Sequence, residues 1–249
     1  MSRYKIVVEY DGTDFVGWQK QENGKSIQEE LEKALSVFSH ENAEIYGSGR
    51  TDAGVHAYGQ VAHFDLQNNI DTFKAVASFN ALLRPNPISV LSVEEVSDDF
   101  HARFSAIQRS YIYKILNRRA PQALDINRVW HVALPLDVPE MQKCALHLLG
   151  KHDFSTFRAA ECQAKSPIKT LDELTITKRG DYVFFVAKAR SFLYHQVRNM
   201  VGSLVEVGLH HWTHEAFHEA FETCDRTKGG PTAPACGLYF QSVLFNEEN

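Results

Sequence analysis

Cysteine is scarce and scattered in this chain. The four residues, Cys144, Cys162, Cys224 and Cys236, form no C-x-x-C pair, so neither a zinc ribbon nor a disulfide framework is indicated. No apolar run approaches the length that spans a bilayer. The opening residues, MSRYKIVVEYDG, lack the long apolar region and small-residue cleavage site of a secretory signal. There is no Walker A stretch, and Gly47-Ser-Gly49-Arg-Thr-Asp52 carries aspartate where G-x-G-x-x-G requires its last glycine. A cytoplasmic protein without membrane attachment or nucleotide cofactor is expected.

Positive charge is also in short supply. The net charge of −5 argues against a protein that coats nucleic acid with its whole surface. Between Arg103 and Arg128, however, six basic residues (Arg103, Arg109, Lys114, Arg118, Arg119, Arg128) meet one acidic residue, Asp125, for a local +5. In IQRSYIYKIL, strict alternation places Ile107, Arg109, Tyr111, Tyr113 and Ile115 on one side of a strand. A solvated charged face reads this way, and so does a surface that grips phosphates with arginine while stacking unpaired bases on tyrosine.

What is present in quantity is core. A 44% hydrophobic content over 249 residues suffices for one large domain or two ordinary ones. A strand at about Tyr4 to Tyr10 is followed by Ser26-Ile-Gln-Glu29, a capping box, and by a helix with Ile27, Leu31, Ala34, Leu35 and Phe38 as its apolar stripe. Strands at about 43–46 and 60–66, a helix at about 72–83 and the strand ISVLSVEEV complete a β-α-β-β-α-β order, the split βαβ arrangement. After Ala106 the order begins afresh, with strand SYIYKIL, a helix over 138–149, strands LDELTIT and DYVFFVAKA, a long helix over 191–207, a shorter helix and a closing strand GLYFQSVLF. The expected fold is α+β, with two tandem ferredoxin-like halves, 1–105 and 106–249, whose antiparallel sheets flank a central cleft.

Two charged residues invite a chemical reading. Asp52 sits in SGRTDAGVHA, where Asp-Ala-Gly is good turn chemistry and the crowding of glycines also suits a site approached closely by a ligand. Arg198 lies on the apolar long helix, with Tyr194, Val201 and Val205 as helical neighbours and no acidic residue three or four positions away. Such an arginine either snorkels to solvent or takes a carboxylate from elsewhere in the fold. A third pattern, HEAFH at His214 to His218, matches the zinc-peptidase motif H-E-x-x-H. Its context opposes that reading, because Phe221 and Cys224 stand where a metzincin continuation needs glycine and histidine.

Taken together, VEYDGTDFVGWQKQ, SGRTDAGVHA, FHARFSAIQRSYIYKILN, HDFSTFR, SFLYHQVRNMVGSLVEVG and APACGLYF resemble, in that order, the TruA family of tRNA pseudouridine synthases. The resemblance runs from the first strand to the last. It implies the pseudouridine synthase fold, a homodimer, no metal and no cofactor, and conversion of uridine to pseudouridine in the anticodon stem-loop of tRNA. It further implies Asp52 as nucleophile, Tyr111 as the residue contacting the target base and Arg198 as the partner of Asp52. Arg50, Tyr111 and Leu238 are the expected substrate contacts, and the basic cluster supplies Arg103, Arg109, Arg118 and Arg119 as the expected RNA-binding set. The chain departs from the family at Ser166-Pro-Ile-Lys169, where an arginine is common in place of Lys169, and at Gln196, where methionine is common; the second change is expected to be neutral. The chemistry suits a carboxylate, which can add to ribose C1′ or uracil C6 or assist elimination, and later leave. Burial works against its charged form and a close guanidinium favours it. The alternatives are an RNA-binding protein of the same fold without activity, and the disfavoured metallopeptidase.

Overall fold

The computed structural model describes residues 1–246; positions 247–249 of the expected second half lie outside the described residues. In chain order the elements are β1 (Ser2–Tyr10), α1 (Ile27–Ser39), β2 (Tyr46–Gly47), β3 (His56–Leu66), α2 (Thr72–Leu82), β4 (Ile88–Val96), β5 (Ala106–Asn117) and β6 (Trp130–Val132). They continue with α3 (Val138–Leu146), β7 (Gly150–Asp153), β8 (Ile168–Arg179), β9 (Tyr182–Ala189), α4 (Gln196–Gly208), α5 (His214–Glu222) and β10 (Leu238–Phe245). The architecture is mixed α+β. It divides into two compact units, one comprising Met1–Arg109 with the chain from Tyr239 onward, the other Ser110–Leu238.

In the first unit the strands run in the order β4-β1-β3-β10, with β2 beside β3. The β1–β3, β1–β4 and β2–β3 pairs are antiparallel, whereas β10 joins β3 in parallel through Tyr239↔His56 and Phe240↔Ala57. Helix α1 starts where the capping pattern predicts, with the Glu29 N–H donating to Ser26 Oγ at 3.2 Å. It buries Ile27, Leu31, Ala34 and Leu35. Helix α2 is capped by Asp71 and buries Phe79, whose ring meets Phe38 edge-on at 4.9 Å. Within the sheet, His63 is buried and its Nδ1 accepts the Ala102 N–H at 3.3 Å, which fixes the neutral ring. Burial, reinforced by His101 and Arg3, lowers its pKa from 6.5 to about 4.

In the second unit β5-β9-β8-β7 are neighbours in that order, and β6 lies parallel beside β5. Tyr113, Phe154, Phe157, Phe185 and Phe217 are among its fully buried side chains. Two elements differ from the periodicity. The apolar pattern extends the third helix to 149, yet α3 ends at Leu146, and β7 begins at Gly150, whose φ of +94° no helix continues through. The long helix starts at Gln196 and not at Ser191, because His195 adopts a left-handed conformation (φ 60°) and the Gln196 side chain accepts the Leu193 N–H at 2.8 Å. Side-chain capping of this kind is invisible to hydrophobic spacing.

Two outcomes follow for stability. Replacing Phe79 by alanine removes the ring that α1 and α2 share and should lower the unfolding free energy by about 3–5 kcal/mol, measured by urea denaturation. His63 contributes its full stabilisation above pH 6.5 and loses it as pH falls from 6.5 toward about 4, since only the unfolded chain takes up the proton in that window. The urea midpoint should therefore fall more steeply across this range in the native chain than in His63→Asn.

Candidate active site

The loop that carries Asp52 is held by backbone bonds and by side chains from distant segments. Ser48 donates its N–H to Val61 O at 2.7 Å and its hydroxyl to Gln60 Oε1 at 2.6 Å, while Gln60 Nε2 donates to Gly49 O at 2.8 Å. The Trp18 N–H donates to Thr51 O at 3.0 Å, and Thr51 Oγ1 lies 2.8 Å from the buried Tyr10 hydroxyl. The turn closes where the Val55 N–H meets Asp52 O at 3.1 Å, with Gly54 at φ +74°. Asp52 itself forms an isolated antiparallel bridge with Gly17. Gly17 has φ +115°, and a Cβ there would collide with Thr51 O. The VEYDGTDFVGWQKQ segment is thus the cradle of the SGRTDAGVHA loop. Asp52 is half-buried and Arg50 is exposed.

Arg109 completes the loop from the opposite direction. It is buried, and its guanidinium donates to Ser48 O through Nε (3.0 Å) and Nη2 (2.8 Å), and to Arg103 O through Nη2 (2.7 Å). Charged donors on main-chain carbonyls make strong, directional ties. Of the four arginines expected to hold RNA, Arg103 and Arg119 are exposed, and Arg118 is exposed and ion-paired with Asp181 at 3.2 Å. Arg103 also reaches over the Phe104 ring at 5.9 Å.

The second unit holds the other implied residues. Tyr111 on β5 is 8% exposed and stands edge-on to Phe192, with ring centroids 5.2 Å apart. Arg198 on α4 donates from Nε to Ala233 O at 2.8 Å, and the Ala233 N–H returns a bond to Arg198 O at 3.1 Å. Gly202, one turn on, lets this segment approach, since a Cβ there would collide with Pro231 O. Asn199 is fixed on the buried side of α4 by Phe157 O and by Thr232 Oγ1 at 2.6 Å. Leu238, the first residue of β10, is buried. Arg198 is therefore tied to one short segment through both its side chain and its main chain.

A model of the tRNA pseudouridine synthase family matches residues 6–105 and 144–246. The chain belongs to this family. It is 54% identical over 248 residues to tRNA pseudouridine synthase A of Rhodospirillum rubrum, covering 100% of this chain and 89% of that protein. Its identity to tRNA pseudouridine synthase A of Rhodospirillum centenum is 53% over 245 residues, with 98% and 100% coverage. The corresponding protein of Paramagnetospirillum magneticum is 52% identical over 246 residues, with 99% and 96% coverage. Members of this family are isomerases, and the cradle around Asp52 falls within the first matched segment.

The HEAFH pattern takes a different place in this tRNA pseudouridine synthase family member. On α5, Phe217 and Phe221 pack inward, while Glu215, His218 and Glu222 face solvent. His214 and His218 pack against His147, with Nε2 atoms of His147 and His214 2.9 Å apart. Among the described residues no group of three or more His, Cys, Asp or Glu side chains is arranged to hold a metal ion. No helix among them is long and apolar enough to cross a membrane.

Arg109 is the residue whose part the sequence concealed. Its alternation with Tyr111 marks its side of the strand, but its acceptors are main-chain carbonyls that carry no sequence signature. Arg109→Ala should destabilise the chain by roughly 2–4 kcal/mol in urea unfolding, since it strands buried carbonyls. Arg109→Lys should recover little, because an ammonium cannot supply the two-pronged contact to Ser48 O.

Proposed function

We propose that this chain converts uridine to pseudouridine in the anticodon stem-loop of tRNA, with Asp52 as the nucleophile. The observation that carries this reading is the construction of the Asp52 turn, a half-buried aspartate whose main chain is fixed between Gly17 and Val55 in a loop held by long-range bonds. Turn chemistry alone would not call for Trp18, Gln60 and Arg109 to brace it. Family membership adds the reaction.

The isomerisation breaks the bond between uracil N1 and ribose C1′, turns the base, joins C5 to C1′ and releases the C5 proton to solvent while N1 gains one. Asp52 supplies the electron pair for the covalent or elimination step, and the same bond reopens when the product leaves. Following the family resemblance, Tyr111 contacts the base and its hydroxyl moves the C5 proton, Arg198 pairs with the Asp52 carboxylate, and Leu238 gives the base an apolar contact. Arg50 takes a flanking phosphate or the space of the extruded nucleotide. Arg103, Arg118 and Arg119 engage the RNA backbone, whereas Arg109 acts by positioning the 48–50 backbone. The reading includes a homodimer located in the cytoplasm, working without metal or cofactor. It also includes two ferredoxin-like halves near 1–105 and 106–249; the β4-β1-β3 order with β2 on β3 supports this for the first.

The decisive test is tritium release from tRNA labelled at uracil C5, with no added metal. The native chain should release tritium and Asp52→Ala should fall to background. Release by both would remove Asp52 from its role, and tRNA binding without release by either would favour an inactive RNA-binding protein.

A further inference from the structure

We propose that Tyr58 is a stacking platform for an unpaired tRNA base lying a few nucleotides from the target uridine; this rests on the function proposed above and adds a contact to it. His56 and Tyr58 are two residues apart on β3 and so share a face of the sheet. Tyr239 of β10 pairs with His56 across the parallel ladder. The result is a column of three rings, with Tyr239 4.6 Å from His56 at 28° and 4.9 Å from Tyr58 at 14°. These are stacking distances.

The column is buried at one end and reaches solvent at the other. His56 is 2% exposed, its Nδ1 accepts the Gly12 N–H at 3.0 Å, and Asp11 Oδ1 lies 3.1 Å from the same atom. Tyr239 is buried, whereas Tyr58 keeps 39% of its surface exposed. An aromatic ring already ordered by two rings behind it loses little freedom when a further flat ring joins the stack. Nucleobases are the flat rings that an RNA substrate presents, and every base has a face to offer.

Location selects the occupant. His56 directly follows the Asp52–Val55 turn, whose ends are bonded at 3.1 Å. A turn end-to-end distance of about 7 Å and a strand rise of about 3.3 Å per residue place the Tyr58 Cα within about 17 Å of the Asp52 Cα. RNA bound for reaction at Asp52 thus has this column within reach. The exposed Arg50 on the same loop supplies charge for the intervening phosphate.

The test compares Tyr58→Phe, Tyr58→Leu and Tyr58→Ala in the full chain, using an unmodified tRNA transcript. Readouts are tRNA affinity, the kcat and KM of tritium release, melting temperature and sedimentation. A second transcript carries 2-aminopurine in the anticodon loop, and its fluorescence is quenched when the probe stacks. Stacking predicts that Phe retains affinity and quenching, while Leu and Ala both raise Kd and KM about tenfold with much smaller changes in kcat. The salt dependence of binding should not change, because no charge is removed. The proposal is overturned if Ala binds tRNA as tightly as the native chain, if Leu substitutes as well as Phe, or if affinity is lost only in step with melting temperature. A change in sedimentation with unaltered tRNA binding would assign the ring to a protein contact and overturn it as well. If the native chain itself released no tritium, the enzymatic reading would fail first and independently of Tyr58.

Discussion

The structure around Asp52 depends on one constraint, which is that a tight turn in a half-buried loop must find partners for main-chain groups that no helix or sheet serves. Ser48 O is the clearest instance. It receives two bonds from the Arg109 guanidinium, 61 positions away in sequence. Gln60 closes the other side through Gly49 O. A guanidinium is suited to the task because its donors are planar, numerous and permanently charged. The loop is therefore braced through bonds to its backbone from Arg109, Gln60 and Trp18.

The same economy recurs in the second unit. Arg198 is aimed by a reciprocal pair of bonds with Ala233, and Gly202 exists to let that segment lie against α4. Asn199 and Ser203 hold the neighbouring stretch from the buried side of the helix. In both units a charged group is positioned by the main chain of a distant segment, and glycine sets how near that segment comes. Bonding of this kind fixes the local backbone of each segment without drawing on hydrophobic packing.

Much of this was legible residue by residue. Ser26 announced its helix, ISVLSVEEV matched β4 at both ends, and the Asp52 loop stood out by its glycines. The phenylalanines of HEAFH and its continuation, Phe217 and Phe221, form the buried face of α5. The misses have specific causes. The start of α4 was set by a left-handed His195 and a Gln196 side chain, and β7 by Gly150, neither of which alters hydrophobic periodicity. Burial of Arg109 escaped notice because arginine within a basic cluster reads as surface charge.

The sequence by itself determined most of the local elements, the order in which they follow, and the motifs that carry the family, because periodicity, capping and residue chemistry act over a few neighbouring positions. Only the tertiary structure decided which distant carbonyls Arg109 and Arg198 would meet, that β10 would return to lie parallel to β3, and that Tyr239 would enter a column with His56 and Tyr58. Those outcomes depend on backbone atoms common to every residue, and their placement is fixed by packing across the fold.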